Sequence, residues 1–301
     1  METDRALPPG FWMMSLGVFC SAFGPVLVRL SPVDAASTAF WRLAFCLVPA
    51  LLLARQVAKQ AGGKPGLLPA LPARDAGLAL LAGLLYAADL VLWNGAILRT
   101  TILEATMLVM IYPLLVALIS VLLLAQRAGW RLWSGGLICL SGIALMSLHR
   151  NGGQSDMTGN VMAVTAAFFY AVSFLITAGL CRRHSSVTIT FWQTAGAVIG
   201  TLPLALMEQH FLPGPAEDWL FMLGYAALTL IALLAVNRAL KTLPAALAAI
   251  LGYGQPVLAT ILAALMFGEW PAILALIGGT IIVGGLVLAA RDKPKTVPAI
   301  A

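Results

Sequence analysis

Asp89 and Asn94 interrupt an otherwise apolar stretch, LYAADLVLWNGAILRT, that runs from Leu85 to Thr100. A carboxyl group can hold a cation or carry a proton, and an amide can hydrogen-bond a polar solute. Tyr86, Asp89, Trp93, Asn94 and Ile97 recur at spacings of three and four, so on a helix they share one face. Arg42 lies in a similar setting, within FWRLAF, Phe40 to Phe45. A guanidinium binds a carboxylate through two parallel hydrogen bonds. Two readings follow. Arg42 and Asp89 form a structural ion pair between helices, or the pair is functional, in that Asp89 titrates or Arg42 holds the carboxylate of a solute. Glu104, the other ionisable candidate, begins a helix on the same face as Leu108, Ile111, Tyr112 and Leu115. It either complements the helix dipole from the first turn or serves as an outer gate and proton entry. Trp41, Tyr86, Trp93, Tyr112, Trp192 and Tyr253, with Gln193, Asn237 and Gln255, complete the candidate solute-binding set. The rings of Tyr170 and Tyr225 belong beside them. A wall of rings and amides suits a small amphipathic solute, such as an amino acid with an apolar side chain.

Enzymatic chemistry has little to stand on. His149, His184 and His210 fall in loops or at the ends of apolar runs, and no HExxH, GxSxG, Cys–His cluster or phosphate-binding glycine loop occurs at membrane depth. Cys20, Cys46, Cys139 and Cys181 lie in or at the ends of apolar runs without CxxC spacing. They read as small core residues rather than disulfides or ligands. No metal and no cofactor is expected.

The elements that position these groups are membrane helices. The chain is 61% hydrophobic and 10% charged, with a mean hydropathy of +0.95, against about 25% charge in a soluble domain. The charge-free runs 6–28, 105–126, 157–181, 184–207, 219–237, 242–268 and 270–290 hold 19 to 27 residues each. About 20 apolar residues cross the hydrocarbon as a helix. Run 132–149 is marginal but adequate, and 35–54 and 76–98 reach spanning length with one charge each, Arg42 and Asp89. That predicts ten spans. Continuous runs of this length exclude a barrel, whose segments alternate over about ten residues. The acidic and basic N-terminus, METDRALPPG, makes a poor signal peptide.

Depth follows from helix rise. Asp89 is 13 residues past Ala76, about 20 Å in, while Arg42 is eight residues past Asp34, about 12 Å from the other side. A carboxyl at that depth costs a few kcal/mol and should face a cavity or a partner. Of 18 Lys and Arg residues, 14 fall on the side of the N-terminus, which predicts a multi-pass protein of the inner membrane with both termini cytoplasmic. The net charge of +6 is then a topology signal, and no nucleic-acid partner is needed.

The chain also repeats. At an offset of 143, Asn94 meets Asn237, Pro113 meets Pro256, Gly135–Gly136 meets Gly278–Gly279, and Gly142 meets Gly285. At 151, Phe23 meets Phe174 and Phe40–Trp41 meets Phe191–Trp192. Each half, 1–150 and 151–301, carries five spans. Five is odd, so the second half starts on the opposite side and the repeats are inverted. Inverted repeats around a midplane cavity are the basis of alternating access. Asp89, Arg42 and Glu104 align with Ala232, Gln193 and Leu247, so a proton site belongs to the first half. Pro25, Pro49, Pro113, Pro203 and Pro256 lie inside spans and permit kinks, with the matched Pro113 and Pro256 the hinge candidates. Glycines of spans 5 and 10 allow close approach, within the chain or in a homodimer.

The stretch ALKTLPAALAAILGYGQPVLATILAALMFGEWPAILALIGGTIIVGGLVL, Ala239 to Leu288, resembles the second domain of EamA-type transporters of the drug/metabolite transporter superfamily. The features are its mid-helix proline, Gly268–Glu269 and glycine-rich last helix. FWRLAF resembles the opening of span 2 in the same family. The resemblance covers nearly the whole chain. It implies a ten-helix carrier of two inverted five-helix repeats, in a family that exports amino acids and other small metabolites. The superfamily also includes importers and exchangers, which leaves nucleosides, vitamins and organic cations as alternative solutes. Repeat one departs from the pattern, with Ala125–Gln126 where repeat two has Gly268–Glu269, so that position reads as a helix-end feature. A channel, an intramembrane enzyme and a purely structural membrane protein are the rival classes.

Overall fold

The computed structural model describes residues 9–62, 66, 68–123, 130–148, 156–243, 245–252, 254–268, 270 and 273–290. It is all-helical, with no strand among the described residues. The helices are α1 (Pro9–Ala22), α2 (Gly24–Arg29), α3 (Ala35–Gln60), α4 (Ala73–Arg99), α5 (Ile102–Val109), α6 (Tyr112–Leu123) and α7 (Trp130–Leu148). They continue as α8 (Met157–Arg183), α9 (Ser186–Ala205), α10 (Ala216–Leu240), α11 (Ala245–Leu251), α12 (Gly254–Phe267) and α13 (Ile273–Ala290). Six segments are long and apolar enough to cross a membrane: α1 with α2, and α3, α4, α8, α9 and α10. The remaining predicted spans correspond to α5 with α6, α7, α11 with α12, and α13.

Among the described residues, thirteen helices correspond to the ten predicted spans, because three of those spans break, each beside a proline. Proline lacks the N–H that would bond the carbonyl four residues back, and its ring crowds that carbonyl. Pro25, Pro113 and Pro256 therefore sit in the first turns of α2, α6 and α12, just past interruptions at Phe23, Met110–Ile111 and Gly252. Pro49 and Pro203 lie inside the continuous helices α3 and α9. The helix α12 ends at Gly268, whose φ of +66° favours glycine. Glu269 and Ala125–Gln126 lie outside the described residues.

Small residues set the packing. The helix α4 lies on α8 and α9, α3 on α9 and α10, α1 on α10, and α7 on α13. A Cβ on Gly83 of α4 would strike the Gln193 carbonyl, and one on Gly196 of α9 the Leu80 carbonyl. Between α7 and α13 the contact is reciprocal. A Cβ on Gly142 would come within 2.7 Å of the Gly278 carbonyl, and one on Gly285 within 2.6 Å of the Gly135 carbonyl. These glycines are used inside the chain.

Two tryptophans also act reciprocally. Trp41 Nε1 donates to the Phe211 carbonyl at 2.7 Å, and Trp192 Nε1 to the Pro69 carbonyl at 3.1 Å. Each pins the loop that precedes α10 or α4 in the other half of the chain. Around the outside, Trp12, Trp130, Trp133 and Trp270 are exposed near helix ends, where tryptophan forms belts at the bilayer surface. All four cysteines are free and buried.

Candidate solute cavity

The broken spans meet at a cavity of about 130 Å³ in the middle of the bundle. Cys20, Ser21 and Gly24 enter it from the α1–α2 break, and Val109, Met110 and Tyr112 from the α5–α6 break. Pro25 and Pro113 cannot donate to the carbonyls of Ser21 and Val109, so backbone polarity is available beside the cavity. The helix α4 contributes Tyr86, Asp89, Leu90 and Trp93, one turn after another. Tyr170, Ser173, Phe174 and Thr177 of α8 follow the same period. So do Tyr225, Thr229, Ala232, Val236 and Asn237 of α10.

Arg42 and Asp89 both line this space and are 3% and 5% exposed. They lie within electrostatic reach of each other, yet no hydrogen bond or ion pair joins them among the described residues. Arg42 Nη1 donates instead to the Tyr225 hydroxyl, and its guanidinium carbon lies 4.9 Å from the centre of that ring. The Tyr225 hydroxyl in turn donates to the Gly24 carbonyl at 3.3 Å. Nε and Nη2 of Arg42 are buried without a partner. The direct Arg42–Asp89 bridge is therefore replaced by a tether from Arg42 to α10.

Gln193 and Asn237 meet across the cavity wall. Asn237 Nδ2 donates to Gln193 Oε1 at 3.1 Å and to Thr190 Oγ1 at 2.9 Å. Tyr112 donates to the Ala249 carbonyl at 3.2 Å and stacks edge-on with Tyr170, centroids 4.7 Å apart. Gln255 also reaches the lining.

Four expected residues sit elsewhere. Asn94 is fully buried and its Nδ2 donates to the Ala35 carbonyl at 2.8 Å. One position beyond Trp93, it has turned away from the cavity towards the start of α3. Trp41 and Trp192 are the loop-pinning residues, and Trp41 also packs against Trp219 at 5.0 Å. Glu104 is buried outside the cavity, where its carboxylate accepts from the Thr100 hydroxyl. Thr101 caps α5 by accepting from the Glu104 N–H at 3.2 Å, a Thr-x-x-Glu capping arrangement. Tyr253 lies outside the described residues. Small lining residues such as Ser21, Gly24, Ser173, Thr177 and Thr229 carry no single-residue signal. The face read for α4, extended to α8 and α10, would have found three of them.

Apolar helices around a charged and aromatic cavity are the architecture of a membrane transporter. The EamA-like transporter family pattern matches residues 8–148 and 157–291, and the chain belongs to that family, within the drug/metabolite transporter superfamily. It is a transporter and not an enzyme, a multi-pass protein of the inner membrane. It is 29% identical to the uncharacterized transporter YdfC of Bacillus subtilis over 60% of either chain, so the match spans less than two thirds of that relative. It is 26% identical to the pseudopaline exporter CntI of Pseudomonas aeruginosa over 87% of this chain and 88% of the other. A probable terminal-alkyne amino-acid exporter of Streptantibioticus cattleyicolor is 25% identical over 62% of this chain and 63% of its own. A solved crystal structure with 19% identity superimposes on 94% of this chain and 97% of its own at a TM-score of 0.67, a likeness of fold.

Proposed function

We propose that the chain is a secondary carrier that exports amino acids or similar small metabolites through this cavity by alternating access. The observation that carries the reading is Arg42 and Asp89, both buried in one cavity and not bonded to each other. A structural pair would have closed, since isolated buried charges cost several kcal/mol each. The names of two relatives, a pseudopaline exporter and a probable amino-acid exporter, favour export and an amino-acid-like solute.

Residues 1–150 and 151–301 act as two inverted repeats. The glycine exchange between α7 and α13 and the paired loop bonds of Trp41 and Trp192 support this, because each is a symmetric contact between matched positions. The interruptions beside Pro113 and Pro256 are the hinges. Both termini face the cytoplasm, from the distribution of basic residues. Asp89 is the group on which a coupled proton would travel, and Glu104 is left with a capping role. A homodimer through spans 5 and 10 would use outward residues such as Trp133, Leu137 and Leu140 of α7 and Ile273 and Leu276 of α13.

The test is uptake of a labelled amino-acid mixture into liposomes holding the wild type or Asp89→Asn, with and without a pH gradient. Uptake that rises with the gradient, and loses that dependence in the variant, supports coupling at Asp89. Gradient-independent uptake unaffected by the variant removes Asp89 from the mechanism. Movement only of nucleosides, vitamins or organic cations would replace the solute class.

A further inference from the structure

Beside Asp89 the cavity lining holds donors without acceptors. Nε and Nη2 of Arg42 and Nε1 of Trp93 are buried and have no hydrogen-bond partner. The Trp93 ring and the Tyr225 hydroxyl both lie against Gly24, and Arg42 and Trp93 both line the cavity. Asp89 offers the complementary deficit, a carboxylate to which no described residue donates. Native proteins keep few such groups, and each needs a reason.

Tyr225 engages the Arg42 guanidinium with both its hydroxyl and its ring. Its hydroxyl accepts from Nη1 and gives its own proton to the Gly24 carbonyl, and its ring lies against the guanidinium. Arg42 is thereby anchored from α10 with two of its nitrogens uncommitted. A lone cation in the gap would face Arg42, and a lone anion would face Asp89. A solute that carries both charges meets both groups and leaves neither unpaired.

We infer that the gap between Arg42 and Asp89 is a receptor for a zwitterionic head group, its carboxylate on Nε and Nη2 of Arg42, its ammonium on Asp89. The rest of the solute lies along Tyr86, Tyr112, Tyr170 and Phe174, whose neighbouring ring centroids are 4.7 to 6.2 Å apart. This inference rests on the cavity being the transport site, and adds the orientation and the class of solute. The space, about 130 Å³, is near the roughly 150 Å³ that takes one benzene. The cavity in this state therefore admits one small solute, and a phenyl side chain requires it to widen.

Binding to the purified protein in lipid nanodiscs, read by tryptophan fluorescence, tests it. The probes are L-leucine and L-phenylalanine, then L-phenylalaninamide, which lacks the carboxylate, and 3-phenylpropionate, which lacks the ammonium. Removing either charge should weaken binding on the order of tenfold to a hundredfold, because each loses hydrogen bonds to a charged partner. This series needs only the wild type. Asp89→Asn should then abolish the preference for phenylalanine over 3-phenylpropionate, and Arg42→Gln the preference over the amide. If either analogue binds within about threefold of phenylalanine, or if neither amino acid binds, the receptor is overturned. Liposomes that move an organic cation or a nucleoside but no amino acid would defeat the receptor and leave the carrier standing. Liposomes that move nothing would defeat both.

Discussion

The reciprocal glycine contact between α7 and α13 yields a prediction with an unusual signature. In Gly142→Ala the new methyl carbon would lie 2.7 Å from the Gly278 carbonyl oxygen and 3.1 Å from the Ile282 nitrogen. Both are backbone atoms of a packed helix, so no rotamer relieves the clash. The helices must separate by several tenths of an ångström, and overpacking of this kind costs about 1–3 kcal/mol. Gly285→Ala meets the Gly135 carbonyl at 2.6 Å and the Cys139 nitrogen at 2.9 Å, and should cost about the same. One movement of α13 away from α7 relieves both. The double variant should therefore lose less than the sum of the single losses, by about 0.5 kcal/mol or more. Gly284→Ala is the control, since its methyl would meet nothing within 4 Å. It should be neutral or gain about 0.5–1 kcal/mol from helix propensity. Unfolding followed by circular dichroism in a fixed detergent measures all four. A Gly142→Ala protein as stable as Gly284→Ala, or two strictly additive losses, would refute the shared-interface reasoning.

Two further perturbations address the site and its scaffold. Tyr225→Phe keeps the ring against Arg42 but removes the hydroxyl that accepts from Nη1 and donates to Gly24. It should lower stability by about 1–3 kcal/mol and weaken solute binding, and unchanged values in nanodiscs would show that the tether is idle. Glu208 accepts from the N–H groups of Ala36 and Ser37 at 2.8 and 2.7 Å and from the Ser37 hydroxyl at 2.7 Å, capping α3 from beyond the end of α9. Glu208→Gln should cost about 0.5–2 kcal/mol and speed hydrogen exchange at residues 35–38, whereas unaltered exchange would assign the cap elsewhere.

The sequence was most legible where chemistry and environment conflict. Asp89 and Arg42 stand out because a charge at membrane depth needs a cavity or a partner, and both line the cavity. Helix breaks were legible from Pro25, Pro113 and Pro256, while Pro49 and Pro203 show that a proline alone does not decide whether a span is interrupted. Trp41 and Trp192 were less legible. Their type and depth suit a binding site, and only the neighbouring loop carbonyls of Phe211 and Pro69 reveal a different use. Asn94 failed for a related reason, since one residue's rotation past Trp93 exchanges the cavity for the Ala35 carbonyl. The glycines of α7 and α13 left internal packing and dimerisation open until the opposing backbones were in place.

The tether from Arg42 to Tyr225 also bears on how the chain is made. Synthesis delivers residues 1–150 first, when Tyr225, Phe211 and Gly278 do not yet exist. In that five-span intermediate Trp41 lacks its acceptor and Gly142 its opposing helix, and Arg42 has Asp89 as the ionic partner within its own half. The direct ion pair missing from the finished protein is thus the arrangement available to the nascent one. On this view Asp89 escorts Arg42 into the bilayer during biogenesis, and arrival of α10 exchanges that partner for Tyr225. A chain truncated after residue 150 should then insert less well as Asp89→Asn than as wild type, even if the full-length variant inserts normally.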